Sequence, residues 1–517
     1  MNRRREYRLG ATLSYINTAL SIALGLLVTP MLWRALKGTQ YELYQLIGSF
    51  VGYIAVLDFG LGSAVIRYVA KYRAEGDTLG MQRFLGMVLP LYAAIGVLIA
   101  ALGWVCYHNL GAIFPRMTAE ELALSKRLFV LVICNVSCAL LTQALPAILH
   151  GCERFVVTRG VTILRQVLRP VVLYVLMRRG TDAVQVVLLD TALNLMTIAV
   201  HALFVFGVLK VRVRFQGFDK RLLRELFGYS IFIFVGVVAN MLYWQVDAFI
   251  VGRMWLSRVA ITTTAGLIAQ YFIDLSGALG GMLMPRAVQI VTEGGDRAAL
   301  TDLMIRVGRL QWMLLGVIPV GFAVCGHNFL TLWAGEKLGS QGVDQCYTIV
   351  LMLMLALMIP LIEGTGITIL QAMNRHAFRA LMLLGISVLN VALTVYLVRL
   401  YGPVGAAVGT ALSLLVGNAG IINWYYHRRI GLDIPRFFRQ ALRGTLPALL
   451  VSGAVSALTL LLPGQGWAML AARVVLIVII HTGCMWLMGA NAEEKNLALS
   501  MLRSVTGRLQ RRRNHGA

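Results

Sequence analysis

Runs of about 20 consecutive apolar residues recur along the whole chain, and no other feature constrains its fold as much. A run of that length is what an α-helix needs to cross about 30 Å of hydrocarbon. Fourteen runs are read near 10–33, 41–68, 84–106, 127–150, 156–177, 184–208, 227–252, 262–288, 310–334, 346–372, 378–399, 404–426, 441–462 and 468–489. Composition agrees, since 58% of residues are hydrophobic and only 14% charged, against about 25% charged in soluble domains. The expected fold is an all-α polytopic membrane protein with 14 transmembrane helices. The first run follows MNRRREYR as a signal peptide would. It is too long for an h-region and lacks a small-residue cleavage site, so it reads as a retained helix.

A net charge of +24 invites a nucleic-acid reading. The placement of the charges argues against it. With the N-terminus inside, inside segments and their edges hold 33 of the 47 Lys and Arg, against about 12 outside. KVRVRFQGFDKRLLRE and HRRIGLDIPRFFRQALR fall inside; GQGW and HNLGAIFPRMTAEE fall outside. This is the positive-inside bias of a membrane protein. It places both termini in the cytoplasm and leaves no role for nucleic acid; the expected location is the cytoplasmic (inner) cell membrane. The seven cysteines show no metal spacing and read as small core hydrophobes.

The chain also repeats itself. LHGCERFVVTRGVTIL from Leu149 answers LQAMNRHAFRALMLLG from Leu370, TALNL at Thr191 answers TALSL at Thr410, and RGTDA at Arg179 answers YGPVG at Tyr401. The offsets of 219 to 222 residues make spans 1–6 and 7–12 two copies. Each copy has an even number of spans, so the two share one orientation about an axis along the membrane normal. The expected organisation is an N-terminal six-helix bundle (1–208), a basic cytoplasmic linker (209–226), a C-terminal six-helix bundle (227–430), two additional helices (431–489) and a basic cytoplasmic tail (490–517).

No GxxxxGK[ST], HExxH or GxSxG occurs, the eight histidines are scattered, and no loop exceeds about 25 residues. The expectation is a transporter rather than an enzyme, with no catalytic residue, cofactor or metal site. Alternating access between the two halves is the physical default for a duplicated bundle.

Charges inside the spans are then the functional candidates, since each costs at least about 2.5 kcal/mol at the bilayer centre. Asp58 lies mid-span in LDFGLGSAVIRYVAKYRAEGD, beside Gly60 and Gly62. Arg67, nine residues on, falls on the opposite side of a helix and can snorkel to the cytoplasmic interface. IDLSGALGGMLMPRAV repeats the pattern with Asp274 and Arg286. Asp247 and Glu363 add two further carboxylates. Each of the four acids is a candidate for ion coupling or gating, with an interhelical hydrogen bond as the structural alternative. In TRGVTILRQVLRPVVLYVL, Arg165 and Arg169 are four residues apart on one helical face near mid-span, and Thr158 and Thr162 extend that stripe. Two guanidinium groups there must face a cavity or a carboxylate such as Asp58 or Glu363. Their functional reading is a cationic floor for an anionic substrate, because guanidinium forks suit phosphate and carboxylate.

LDFGLGSAVIRYVAKYRAEGD and QVDAFIVGRMWLSRVA, within a twelve-plus-two helix layout, resemble the Wzx-like O-antigen and exopolysaccharide flippases of the multidrug/oligosaccharidyl-lipid/polysaccharide exporter superfamily. The resemblance covers essentially the whole chain. It implies two bundles around a basic cavity and translocation of undecaprenyl-diphosphate-linked glycan for cell-surface polysaccharide biosynthesis. Arg165, Arg169, Thr162, Arg67 and Arg286 would face the substrate, with Asp58 or Asp274 sensing an ion gradient. Membrane lipid and polysaccharide polymerase or glycosyltransferase machinery are the implied partners. The alternatives are a multidrug antiporter of the same superfamily, which would need an acidic cavity, a lipid II flippase, and a non-transporting subunit of a polysaccharide synthase complex.

Overall fold

The computed structural model describes residues 3–55, 61–215, 217, 219–280, 290, 296–373, 376–496 and 499. Among these, the regular elements are all helical. In chain order they are α1 (Arg3–Ala35), α2 (Gln40–Ala55), α3 (Leu61–Glu75), α4 (Thr78–Ile113), α5 (Ala119–Leu141), α6 (Ala144–Gly151), α7 (Phe155–Arg178), α8 (Ala183–Ala202), α9 (Lys220–Trp244), α10 (Val246–Met254) and α11 (Val259–Gly280). There follow α12 (Arg297–Leu315), α13 (Val317–Ile362), α14 (Gly364–Ala372), α15 (His376–Tyr401), α16 (Pro403–Leu414), α17 (Ile434–Leu442), α18 (Thr445–Ala457) and α19 (Trp467–Cys484). Beyond α16 the chain stays helical to Ile430, largely through wider π-type turns.

Twelve helical stretches among the described residues are long and apolar enough to cross a membrane, two fewer than the fourteen runs. The difference has two local causes. The run 41–68 passes over residues 56–60, outside the described residues, and is represented by α2 and α3 on either side. The runs 310–334 and 346–372 both fall on the single stretch Arg297–Ile362. Within it α13 alone has 46 residues and is interrupted at Gly339, whose φ of 68° and ψ of 174° are not helical. A straight helix of that length would reach about 69 Å, twice the hydrocarbon core.

Several acidic residues outside the spans start helices. The carboxylates of Asp77, Asp182, Asp219, Asp296 and Asp433 each accept a backbone N–H in the first turn of the helix that follows, and Thr118 with Glu121 forms a capping box at α5. These caps satisfy amides that the helix leaves open and complement its positive end.

The chain divides into two compact units. Unit 1 comprises Met1–Ala278, Glu336–Leu353 and Arg375–Gly417; unit 2 comprises Leu279–Gly335, Met354–Asn374 and Asn418–Ala517. In unit 1, Val251, Val398 and Ala406 form a buried cluster joining α10, α15 and α16. In unit 2, Val320 and Cys325 of α13 pack with Leu470 and Ile477 of α19. Unit 2 also contains a buried clasp. Arg309 donates to both oxygens of Glu494 at 2.7 and 3.1 Å, and to the carbonyls of Gln440, Arg443 and Gly489. A charged group taken out of water needs such full pairing.

The repeated anchors fall on matching local structure in unit 1. α7 leads to Gly180 and α8; α15 leads to Gly402 and α16. Both glycines have positive φ, 78° and 62°, the left-handed conformation that a residue without Cβ adopts without strain.

Candidate functional site

Unit 1 contains a partly open cavity of about 780 Å³, lined by α1, α2, α5, α7, α8, α9, α10, α11, α13 and α16. That volume lies in the range of small-molecule sites, roughly 300–1,000 Å³. Four charged side chains line it: Arg165, Arg169, Asp190 and Asp247. They fall into two clusters and one isolated cation.

The first cluster joins α7, α8 and α2. Arg169 Nε donates to Asp190 Oδ1 at 2.6 Å and Nη2 donates to Asp190 Oδ2 at 3.1 Å. The same Nη2 donates to the Tyr44 hydroxyl at 2.9 Å, and that hydroxyl donates to Asp190 Oδ2 at 2.8 Å. The triangle is closed and its charges cancel. A bidentate guanidinium–carboxylate pair is the strongest arrangement these groups make. Nearby, Gln166 Nε2 donates to Ser21 Oγ at 2.6 Å and fastens α7 to α1.

The second cluster joins α10, α15 and α16. Thr394 Oγ1 donates to Asp247 Oδ1 at 3.1 Å, and Thr410 Oγ1 donates to Asp247 Oδ2 at 2.9 Å. Asn390 Oδ1 lies 3.3 and 3.2 Å from the same two hydroxyls, while its Nδ2 donates to the Tyr243 carbonyl at 3.1 Å. Each threonine has one proton to give. If both go to the carboxylate, the amide oxygen of Asn390 faces oxygens alone. Five oxygens carrying one negative charge thus converge, and among the described residues no Lys or Arg pairs with Asp247. Such a set suits a proton or a hard cation, which prefers oxygen ligands.

Arg165 stands apart. It lines the cavity on the same face of α7 as Arg169 and has no carboxylate partner among the described residues. Two buried acceptors on the wall, Gln166 Oε1 and Thr262 Oγ1, likewise have no hydrogen-bond partner among them. The wall therefore offers charge and hydrogen bonds to a polar occupant, since buried polar groups are normally satisfied.

Residues 9–271, just over half of the chain, match the family described as polysaccharide biosynthesis protein. The chain belongs to that family. It is 23% identical over 389 residues to the probable low-salt glycan biosynthesis flippase Agl15 of Haloferax volcanii, covering 74% of this chain and 76% of that protein. Its fold is similar to that of the lipid II flippase MurJ in an inward closed conformation, with a TM-score of 0.70 at 14% identity over 92% of this chain and 97% of that one. It is also similar to an inward-facing multidrug resistance transporter of the MATE family of the MOP superfamily, with a TM-score of 0.60 at 13% identity over 78% of this chain and 93% of that one.

In this polysaccharide biosynthesis protein, three of the sequence candidates meet at the cavity: Arg165, Arg169 and Asp247. Thr162 is on α7 but turns its hydroxyl to the Thr158 carbonyl at 2.9 Å. Arg67 is exposed on α3. Asp274 on α11 is not on the wall; it accepts from Gln270 Nε2, which is, at 2.8 Å. Glu363 is buried in unit 2 and accepts from Asn423 Nδ2 at 2.7 Å. Asp58 and Arg286 lie outside the described residues, so the proposed pair of carboxylate-and-arginine devices is half out of view. Of the two carboxylates named as alternative partners of the arginines, Asp58 lies outside the described residues and Glu363 bonds to Asn423, while Arg169 is held by Asp190. Asp190 carried the same signal as Asp58, a lone carboxylate inside an apolar run (184–208), and that test applied evenly along the chain finds it.

Proposed function

We propose that this protein is a flippase that carries an undecaprenyl-diphosphate-linked oligosaccharide across the cytoplasmic membrane by alternating access, for cell-surface polysaccharide biosynthesis. The observation that carries the reading is a cavity in a polysaccharide biosynthesis protein whose one cation free of a carboxylate, among the described residues, is Arg165. Its guanidinium suits the substrate's diphosphate or acidic sugars, while the polyprenyl chain stays in lipid. The likeness to a glycan biosynthesis flippase supports this substrate class. A multidrug exporter of cations calls for an acidic cavity, whereas here two arginines balance two aspartates.

Asp247 is our choice of coupling carboxylate, ahead of Asp274, Glu363 and Asp58, because neutral oxygens converge on it. A proton or sodium ion entering that cluster would change the charge of the cavity wall and bias one access state over the other. The bundles are those of the repeat, 1–208 and 227–430, with both termini cytoplasmic and the membrane being the inner one. Polymerase and glycosyltransferase machinery would supply and consume the lipid-linked glycan. Deletion of the gene tests the reading: lipid-linked glycan should accumulate on the cytoplasmic leaflet, restored to export by the wild-type gene and not by an Arg165→Ala copy. An unchanged distribution between leaflets in the deletion strain would refute it.

A further inference from the structure

The two polar clusters occupy related places in the repeat. On α7 and α15 the anchors Leu149 and Leu370, just ahead of these helices, are 221 apart, and Gly180 and Gly402, just after them, are 222 apart. By the first offset, 221, Arg169 in the first copy corresponds to Asn390 in the second. On the next helix Thr191 corresponds to Thr410, with Asp190 one residue before it. Each cluster thus takes residues from the fifth and sixth spans of its copy, the first adding Tyr44 of α2 and the second Asp247 of α10, and both carboxylates lie on the wall of the same cavity.

Their carboxylates come from different places, Asp190 standing where the second copy has Gly409 and Asp247 lying on α10, and at the matched pair an arginine faces an asparagine. In the first, the residue at the Asn390 position is an arginine, and its guanidinium sits 2.6 Å from the Asp190 carboxylate and 2.9 Å from the Tyr44 hydroxyl. In the second, a neutral amide stands there and the Asp247 carboxylate is met by hydroxyls alone. We propose that Arg169 is a tethered cation: in the first copy it occupies the place that an exchangeable monovalent cation takes in the second, and so confines ion coupling to Asp247. This rests on the ion-coupled reading above for its part in transport. A guanidinium bonded at two points to one carboxylate cannot leave with the solvent, so Asp190 keeps a constant net charge through the cycle. Asp247 has no such resident charge and can exchange its cation. Arg169 is thus the residue that sets how many ions the protein counts.

The test reads cation binding through stability, because a ligand that binds the folded state raises Tm. Purified full-length protein is unfolded thermally in sodium chloride and in choline chloride at equal ionic strength. An Asp247→Asn background silences the second cluster, and there the Tm should be the same in both salts. Adding Arg169→Asn should open the first cluster and give a Tm several degrees higher in sodium. Adding Asp190→Asn as well should abolish that difference, and Arg169→Lys in place of Arg169→Asn should never produce it. A protein merely held together by an ion pair would lose stability equally in both salts. Equal Tm values for the Asp247→Asn, Arg169→Asn protein would overturn the proposal. So would failure to recover that protein in saturating sodium when the triple variant is recovered. A wild-type Tm indifferent to sodium counts against sodium at Asp247; the comparison within the Asp247→Asn background still decides Arg169.

Discussion

Arg165 and Arg169 are one helical turn apart on α7, yet their surroundings assign them different work. Arg165→Ala should leave membrane abundance near wild type and reduce export at least about tenfold, as expected for losing a charge-assisted contact of roughly 1.5–3 kcal/mol. Lys at this position should restore part of the export, because charge remains while the planar fork is lost. Arg169→Ala, measured in low sodium, should instead lower stability by about 2 kcal/mol, because it strands the Asp190 carboxylate in a partly buried site. Abundance of this variant should fall, and adding Asp190→Asn should recover much of it. Full abundance of the Arg169→Ala protein in low sodium would show that the pair is not needed. The shared face of the two arginines was legible in their i,i+4 spacing. Their different partners were not, because Asp190 and Tyr44 come from other helices and only packing brings them together.

At the scale of elements, a buried ion pair joins α2 to α13. Lys337, two residues before the break at Gly339 in α13, pairs with Glu42 of α2 at 2.9 Å. Its ammonium also donates to the Gly38 carbonyl at 3.2 Å and lies 5.6 Å from the centre of the Tyr41 ring. Both side chains are largely buried, so separating them uncovers two charges. The alternating access proposed above would require this contact to break. Glu42→Cys with Lys337→Cys, joined by a bifunctional thiol reagent that carries a reducible disulfide in its spacer, should stop export, and reductant should restore it. Export at the wild-type rate in the cross-linked protein would mean that this end does not open. The sequence located most helices through their apolar runs, because that signal is local. It also separated the two runs that α13 joins: the polar stretch AGEKLGSQGVDQ lies between them, and the break at Gly339 falls inside it.

For the whole molecule, the bias of basic residues predicts which ends face the cytoplasm. Reporter fusions at Gly180, Gly339 and Gly464 should read external, and one at Gly217 internal; an external signal from Gly217 would overturn the topology. The all-helical fold was legible because composition is a property of the entire chain, and the family because LDFGLGSAVIRYVAKYRAEGD and QVDAFIVGRMWLSRVA resemble it, whereas the cavity depends on contacts between residues far apart in sequence, such as Asp247 and Thr410, 163 positions apart. The most direct measurement is made in proteoliposomes holding the purified protein and a lipid-diphosphate-linked oligosaccharide, with a membrane-impermeant glycosidase outside. An imposed proton or sodium gradient should increase the fraction of glycan that the enzyme can cleave. Arg165→Ala should show little cleavage beyond protein-free vesicles, and Asp247→Asn should respond equally with and without the gradient. Cleavage by the wild-type protein no greater than in protein-free vesicles, under either gradient, would contradict the account.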